Sequence, residues 1–535
     1  MPDGTDHGGN RAARYRAAFV LLLTAAVLFR SWFITTLPLS GDEAYHWEWS
    51  RNLAFGYYDH PGLTAYLIRL FTWVFGHSTE FTVRFPALVM LTITSIVCYL
   101  LARKVVRNRG GTAVEAERAG LIAGLLIVVV PIFAVFAGYI STDPPLICFW
   151  ALALYLFYLA FTTGKWFAWI AAGIVFGLAM MSKFLAFLLV PGLFLFALLH
   201  KESRFWFRRP QAYVAGICAL LTFSPFLWWN YTHGWATFVF NFVSRQEDNA
   251  FEPWRVAEFV IGQALALSPG IFVFAVFCLW LSLREHRKTK DMSSLFLGMS
   301  SLAPVLYFLC VSFRREVGIH WPAAGWIGSI VLVSCCLSES ASGSPSTARW
   351  KWGKAALALC IGMTVLIHLL VHVPSRWIET ANWRYWGDPD RINTEAANER
   401  YGWRELGRRV EQMGMEMKKE DGKPVFVMSG QYGLSAGIAF YTPGQIRTHL
   451  WSPRRVHGEN YRFWEDFGSL KGQNAMYVAK DEEQADDAIL MLGEHFADVR
   501  LPKQLPILVD GREVRSFFFV RCYNFDGIEP DFTED

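Results

Sequence analysis

Apolar runs of bilayer-spanning length recur about eleven times before residue 374, each near the roughly 20 residues a hydrocarbon core demands of a helix. Their centres fall near Ala26, Thr94, Val129, Leu154, Ile174, Phe194, Leu220, Phe272, Val305, Ser329 and Gly362. A bilayer offers no water to satisfy backbone polar groups, so such runs must be helices. The predicted class is an all-α polytopic membrane protein. Composition agrees, with 53% hydrophobic and 18% charged residues among 535. The 23 Trp suit a large interfacial surface, where Trp and Tyr hold polar edges at headgroup depth. A formal net charge of +4 is too small to argue for nucleic acid.

Charge orders the loops. The first run, from about Ala17 to Leu37, is longer than a signal-peptide core and lacks a cleavage site, so it reads as a retained span. Arg11, Arg14 and Arg16 precede it and place the N-terminus in the cytoplasm. The basic loops RKVVRNR at Arg103, KESRFWFRR at Lys201 and REHRKTK at Arg284 belong on the same side. The Ser-rich segment from Ser338 to Lys354 reads as a cytoplasmic linker. The intervening loops then face outward: Pro38 to Arg84, the turn at Ser141, the pair Ser182-Lys183, the stretch from Asn230 to about Glu258, and the loop from Arg314. Every loop of chemical interest falls on that face.

After about Val373 the chain turns polar. VFVMS and AMYVAK read as buried strands, GLSAGIAFY and DDAILMLGEHF as helices, and VDGREVRSFFFVR as a hairpin turning at Asp-Gly. Two domains are expected: a membrane domain over 1–373 and an extra-cytoplasmic α/β domain over 374–535. Eight of nine cysteines lie in apolar runs and only Cys522 in the polar tail. With no CxxC or His/Cys cluster, neither a disulfide nor a zinc site is expected, and no cofactor.

The outward loops carry the candidate chemistry. In SGDEAYHWEWS, Ser40 and Glu43 form a capping-box pattern ahead of an amphipathic interfacial helix from Ala44 to about Phe55. Glu43 can cap while Asp42 acts as a general base on an incoming hydroxyl. In STDPPL, either Thr142 or Asp143 caps the next span with Pro144 in its first turn, or Asp143 orients a substrate. Lys183 in MMSKFLAF either snorkels to the interface or holds an anionic headgroup. His233, Arg245, Gln246 and His320 add further basic and polar groups on that face. An outer-face enzyme has no nucleotide sugar or ATP, so an activated group must arrive on a lipid phosphate. Its transfer needs a base for the acceptor and cations for the departing phosphate.

LSGDEAYHWEWSRNLAFGYYDHPGLTAYLI, STDPPL, MSKFLA, PFLWWNYTHGW and HWPAAGWI, in this order, resemble the GT-C glycosyltransferases related to protein O-mannosyltransferases and the lipid A aminoarabinose transferase. The likeness spans roughly residues 15–375, and the tail from Gly402 resembles the extra-cytoplasmic domain of bacterial members. It implies inverting sugar transfer from a polyprenyl-phosphate donor to a glycolipid, glycan or protein acceptor at the bacterial inner membrane. By motif position it makes Asp42 and Asp143 the catalytic acids. Lys183 and Arg245 become phosphate ligands. Glu43, Tyr45, Asp59, His60, His233 and His320 are substrate-binding candidates. His320 stands where relatives often carry Asn before Trp-Pro. The alternative is a multi-pass transporter, hinted at by Pro191-Gly192 and Pro269-Gly270 in apolar segments.

Overall fold

The computed structural model describes residues 4–243, 251–340, 347–370, 401–451, 459–509 and 512–528. They form two compact units. The first comprises 1–34, 54–56 and 60–371; the second comprises 35–53, 57–59 and 372–535.

The first unit is helical. Its elements are α1 (Gly4–Phe33), α3 (Leu63–Phe75), α4 (Glu80–Asn108), α5 (Ala113–Val129), α6 (Pro131–Phe136), α7 (Asp143–Thr163), α8 (Trp166–Ser182), α9 (Leu189–Leu199), α10 (Pro210–Thr232), α11 (Ala236–Phe242), α12 (Trp254–Leu267), α13 (Pro269–Thr289), α14 (Met292–Ser312), α15 (Trp326–Ser340) and α16 (Thr347–Leu370). Among the described residues, six helices are long and apolar enough to cross a membrane, or eight if each of two bent pairs is one span. The sequence predicts about eleven, and each expected centre does fall in a helix. The difference is length. Proline at 131 ends α5 after 17 residues, α8 also has 17, and α15 has 15. The pair α12–α13 bends by 106° where Ser268 takes a positive φ of 71° ahead of Pro269. Pro191 sits in the first turn of α9, where a missing N–H is tolerated.

Apolar side chains gain little by leaving lipid for a helix interface, so close backbone approach carries the packing. On α8, Gly173 and Gly177 lie against the Ala215 and Ala219 carbonyls of α10. A Cβ on Gly173 would stand 2.2 Å from Ala215 O, so only glycine fits there.

The second unit holds α2 (Gly41–Arg51), α17 (Trp403–Asp421), α18 (Tyr432–Tyr441), α19 (Glu482–Leu492) and five strands. These are β1 (Val425–Ser429), β2 (Thr448–Leu450), β3 (Asn474–Ala479), β4 (Phe496–Val509) and β5 (Arg512–Phe525), in sheet order β2-β1-β3-β5-β4. The β1 pairings are parallel, and those of β5 antiparallel. Apolar residues run continuously through β1 and β3 because both faces are covered. Val427, Met476 and Val478 face Leu406, Val410 and Ile438, while Phe426, Met428 and Tyr477 face Ala485, Ala488 and Leu492. The strands and helices expected at 425, 432, 475 and 486 are present, and so is the hairpin, its Asp510-Gly511 turn lying outside the described residues. The early part of β4 is an addition. Its Pro502 and Pro506 deny a donor to the ladder, which an edge strand permits.

Candidate functional site

Two groups of the expected residues gather, one in each unit. In the first unit α7 begins at Asp143, followed at once by Pro144 and Pro145. The prolines bring no N–H. The Thr142 side chain makes no cap bond. Instead Ser141 Oγ accepts from the Asp143 amide at 3.2 Å. The Asp143 carboxylate, in a helix start poor in donors, takes an ammonium. Lys183 Nζ donates to Oδ1 at 3.0 Å and Oδ2 at 3.1 Å. Both residues are buried, at 3% and 4% exposure, so Lys183 does not snorkel. Lys183 reaches in because α8 stops at Ser182 and the backbone turns extended there, with φ −156°, before the 3-10 turn Phe184–Leu188.

His320 stands beside the pair. Its Nε2 lies 3.8 Å from Asp143 Oδ2, and its ring meets Phe136 edge-on at 6.0 Å. Buried Gln263 of α12 holds this loop. Its Nε2 donates to Ile319 O at 3.0 Å, and its Oε1 accepts from Trp326 Nε1 at 2.9 Å. One carboxylate thus touches an ammonium and stands beside an imidazole, an arrangement that can receive an anion once the carboxylate shares its cations.

The other expected residues of this unit have local places. His233 ends α10, stacked on Trp229 at 4.2 Å with Nδ1 2.8 Å from Trp229 O. His60 lies inside the short loop that the Gly56–Pro61 bridge closes. Arg245 lies outside the described residues.

In the second unit the adjacent acids divide their work. Ser40 caps α2, accepting from the Glu43 amide at 3.3 Å, while Glu43 Oε2 accepts from the Ser40 amide at 3.0 Å. The helix therefore runs Gly41–Arg51, three residues earlier at its start than the sequence suggests. Glu43 is buried by this role, at 1% exposure. Asp42 is exposed, and Tyr432 Oη donates to its Oδ1 at 2.7 Å. Tyr45 Oη lies 3.5 Å from Asp59 Oδ2 and accepts from Asn460 Nδ2 at 2.7 Å. Asn460 Oδ1 in turn accepts from the Tyr58 amide at 2.6 Å, which joins this aromatic segment to the C-terminal residues. Burial, with the Asp59 charge next, holds the Tyr45 phenol well above its ordinary range. Tyr432, Asn460 and Gln263 escape a reading of the sequence, since no local spacing links them to Asp42, Tyr45 or His320.

Residues 59–229 match the family model described as dolichyl-phosphate-mannose-protein mannosyltransferase. The chain is 27% identical over 300 residues to lipid A galacturonosyltransferase RgtD of Rhizobium johnstonii, covering 54% of this chain and 59% of that protein. It is 30% identical over 159 residues to undecaprenyl phosphate-alpha-4-amino-4-deoxy-L-arabinose arabinosyl transferase 2 of Proteus mirabilis, covering 27% of this chain and 26% of that one. The matched parts thus span less than two thirds of either relative's length. The crystal structure of ArnT from Cupriavidus metallidurans superposes with a TM-score of 0.61 at 14% identity, over 94% of this chain and 98% of that one. The same protein bound to undecaprenyl phosphate gives 0.60. Motif order, sequence relatives and three-dimensional likeness point the same way: the chain shares the fold of ArnT, and over residues 59–229 it is similar to the dolichyl-phosphate-mannose-protein mannosyltransferase family.

Proposed function

We propose that the chain transfers a sugar from a polyprenyl-phosphate donor to a hydroxyl of a lipid A-type glycolipid, with inversion, on the outer face of a bacterial inner membrane. The buried Asp143–Lys183 pair with His320 beside it carries this reading. An ion pair enclosed this far would be replaced by apolar residues without loss if stability were its only use. The relatives' names supply the substrate classes: lipid A for one, an undecaprenyl-phosphate sugar for the other.

The acceptor hydroxyl gives its proton to Asp42 as its oxygen attacks the anomeric carbon. The bond from that carbon to the phosphate oxygen breaks, and the lipid phosphate leaves with the electron pair. Lys183 spends two N–H groups on Asp143, and its third meets a phosphate oxygen. Asp143 orients that ammonium. Arg245 adds a second positive charge. One displacement from the opposite side inverts the anomeric centre.

The test is transfer by the purified protein in detergent, with an undecaprenyl-phosphate sugar and lipid A, read by mass spectrometry. Asp42→Asn is expected to lower turnover about 10²–10⁴-fold with little change in donor affinity. Lys183→Ala is expected to weaken donor binding. Uptake of solute by proteoliposomes without any transfer would overturn the reading in favour of a transporter.

A further inference from the structure

We infer that Tyr432, from the C-terminal sequence, is a positioning residue for Asp42, so that the α/β unit takes part in the reaction. The inference rests on the proposed role of Asp42 as base.

The contact is built by backbone first. Gly41 and Gly433 meet so closely that a Cβ on Gly41 would lie 3.0 Å from Gly433 Cα, and one on Gly433 3.2 Å from Gly41 Cα. Two helix starts, α2 and α18, therefore stand against each other at these glycines. The residue just after one glycine, Asp42, meets the residue just before the other, Tyr432, at 2.7 Å. The Tyr432 ring is fixed by Tyr45, with centroids 4.7 Å apart. A ring held in this way keeps its hydroxyl oxygen within reach of Oδ1.

Docking of α2 does not require that hydroxyl. The Leu39 amide donates to Tyr441 Oη at 2.6 Å, Trp47 meets Phe440 edge-on at 5.0 Å, and Arg51 donates to Ile446 O at 3.0 Å. With the helix already held, the Tyr432–Asp42 bond selects a carboxylate rotamer. A base works only in the rotamer that reaches the proton. Holding Oδ1 leaves the orientation of Oδ2 determined as well.

The experiment compares Tyr432→Phe, Asp42→Asn and the double variant in the full-length protein, using an undecaprenyl-phosphate sugar and lipid A. Phenylalanine keeps the ring on Tyr45 and removes only the O–H. Expected is a fall in kcat of about 10-fold with the donor KM within about two-fold and an unchanged thermal midpoint. Added to Asp42→Asn, Tyr432→Phe is expected to change nothing further, because the two act as one unit. Gly433→Ala, which parts the two helix starts, is expected to reproduce the kcat loss. Parent turnover in Tyr432→Phe beside a crippled Asp42→Asn would overturn the positioning role and leave the base assignment standing. Multiplying losses, or a lowered thermal midpoint in Tyr432→Phe, would make the tyrosine a structural contact and overturn it likewise. Parent turnover in Asp42→Asn would instead remove the base itself, and the inference with it.

Discussion

Lys183 and Asp143 sit forty residues apart in sequence and share one enclosed position between the ends of two helices. Charges taken out of water gain from each other only if both stay, so removing one strands its partner, at about 3–5 kcal/mol. Lys183→Met alone is expected to lower the unfolding temperature in detergent. Lys183→Met with Asp143→Leu is expected to recover most of that loss while transfer stays absent. Recovery of transfer in the double variant would separate the pair from the chemistry. At this scale the sequence is legible where contacts are local. Ser40 and Glu43 reveal their capping box because three residues separate them, and that spacing is a property of the helix itself. The loop assignment gives Asp143 and Lys183 a common side of the membrane but not their ion pair. Nothing near Asp42 announces Tyr432, 390 positions later.

Helix α2 shows what an element adds to its residues. It is enclosed all round, every residue from Glu43 to Ser50 being buried and Tyr45, Trp47 and Trp49 at 3% exposure or less. Glu48 is enclosed with them, at 4% exposure, bonded to Arg51 at 2.8 Å. Burial pushes its carboxyl from an ordinary 4.5 up to about 7, against the opposing pull of Arg51. A carboxyl raised on folding favours the folded state fully below pH about 4.5. That contribution fades as pH climbs through 7 and is on the order of 3 kcal/mol. The thermal midpoint of the parent is therefore expected to fall between pH 5 and 8 more than that of Glu48→Gln. Parallel profiles for the two would remove Glu48 as the cause. Elements were legible where burial leaves a plain signature. VFVMS and AMYVAK are strands because both sheet faces are covered. Span lengths were less legible, since hydropathy counts apolar residues whether or not a proline such as Pro131 divides them.

For the molecule as a whole, the second unit is assembled from separate stretches of chain, 35–53 and 57–59 joining 372–535. Composition does not reveal this. The change near Val373 marks where the polar tail begins but carries no sign that an early loop belongs with it. Residues 401–528 produced without 35–53 would expose Phe440 and Tyr441, which Trp47 and Leu39 otherwise meet. That fragment is expected to associate or bind a hydrophobic dye, and a 35–53 peptide supplied in trans is expected to suppress this. A fragment that stays monomeric and dye-silent without the peptide would show that α2 is dispensable to the fold. The split has a further consequence during synthesis. Trp47 and Trp49 leave the ribosome about 400 residues ahead of the Tyr432–Tyr441 helix, a delay of roughly 20 to 80 s at ~5–20 residues per second. For that interval Trp49 already has Tyr57 to stack on, whereas Trp47 waits for the Phe440 edge that arrives only with the last quarter of the chain.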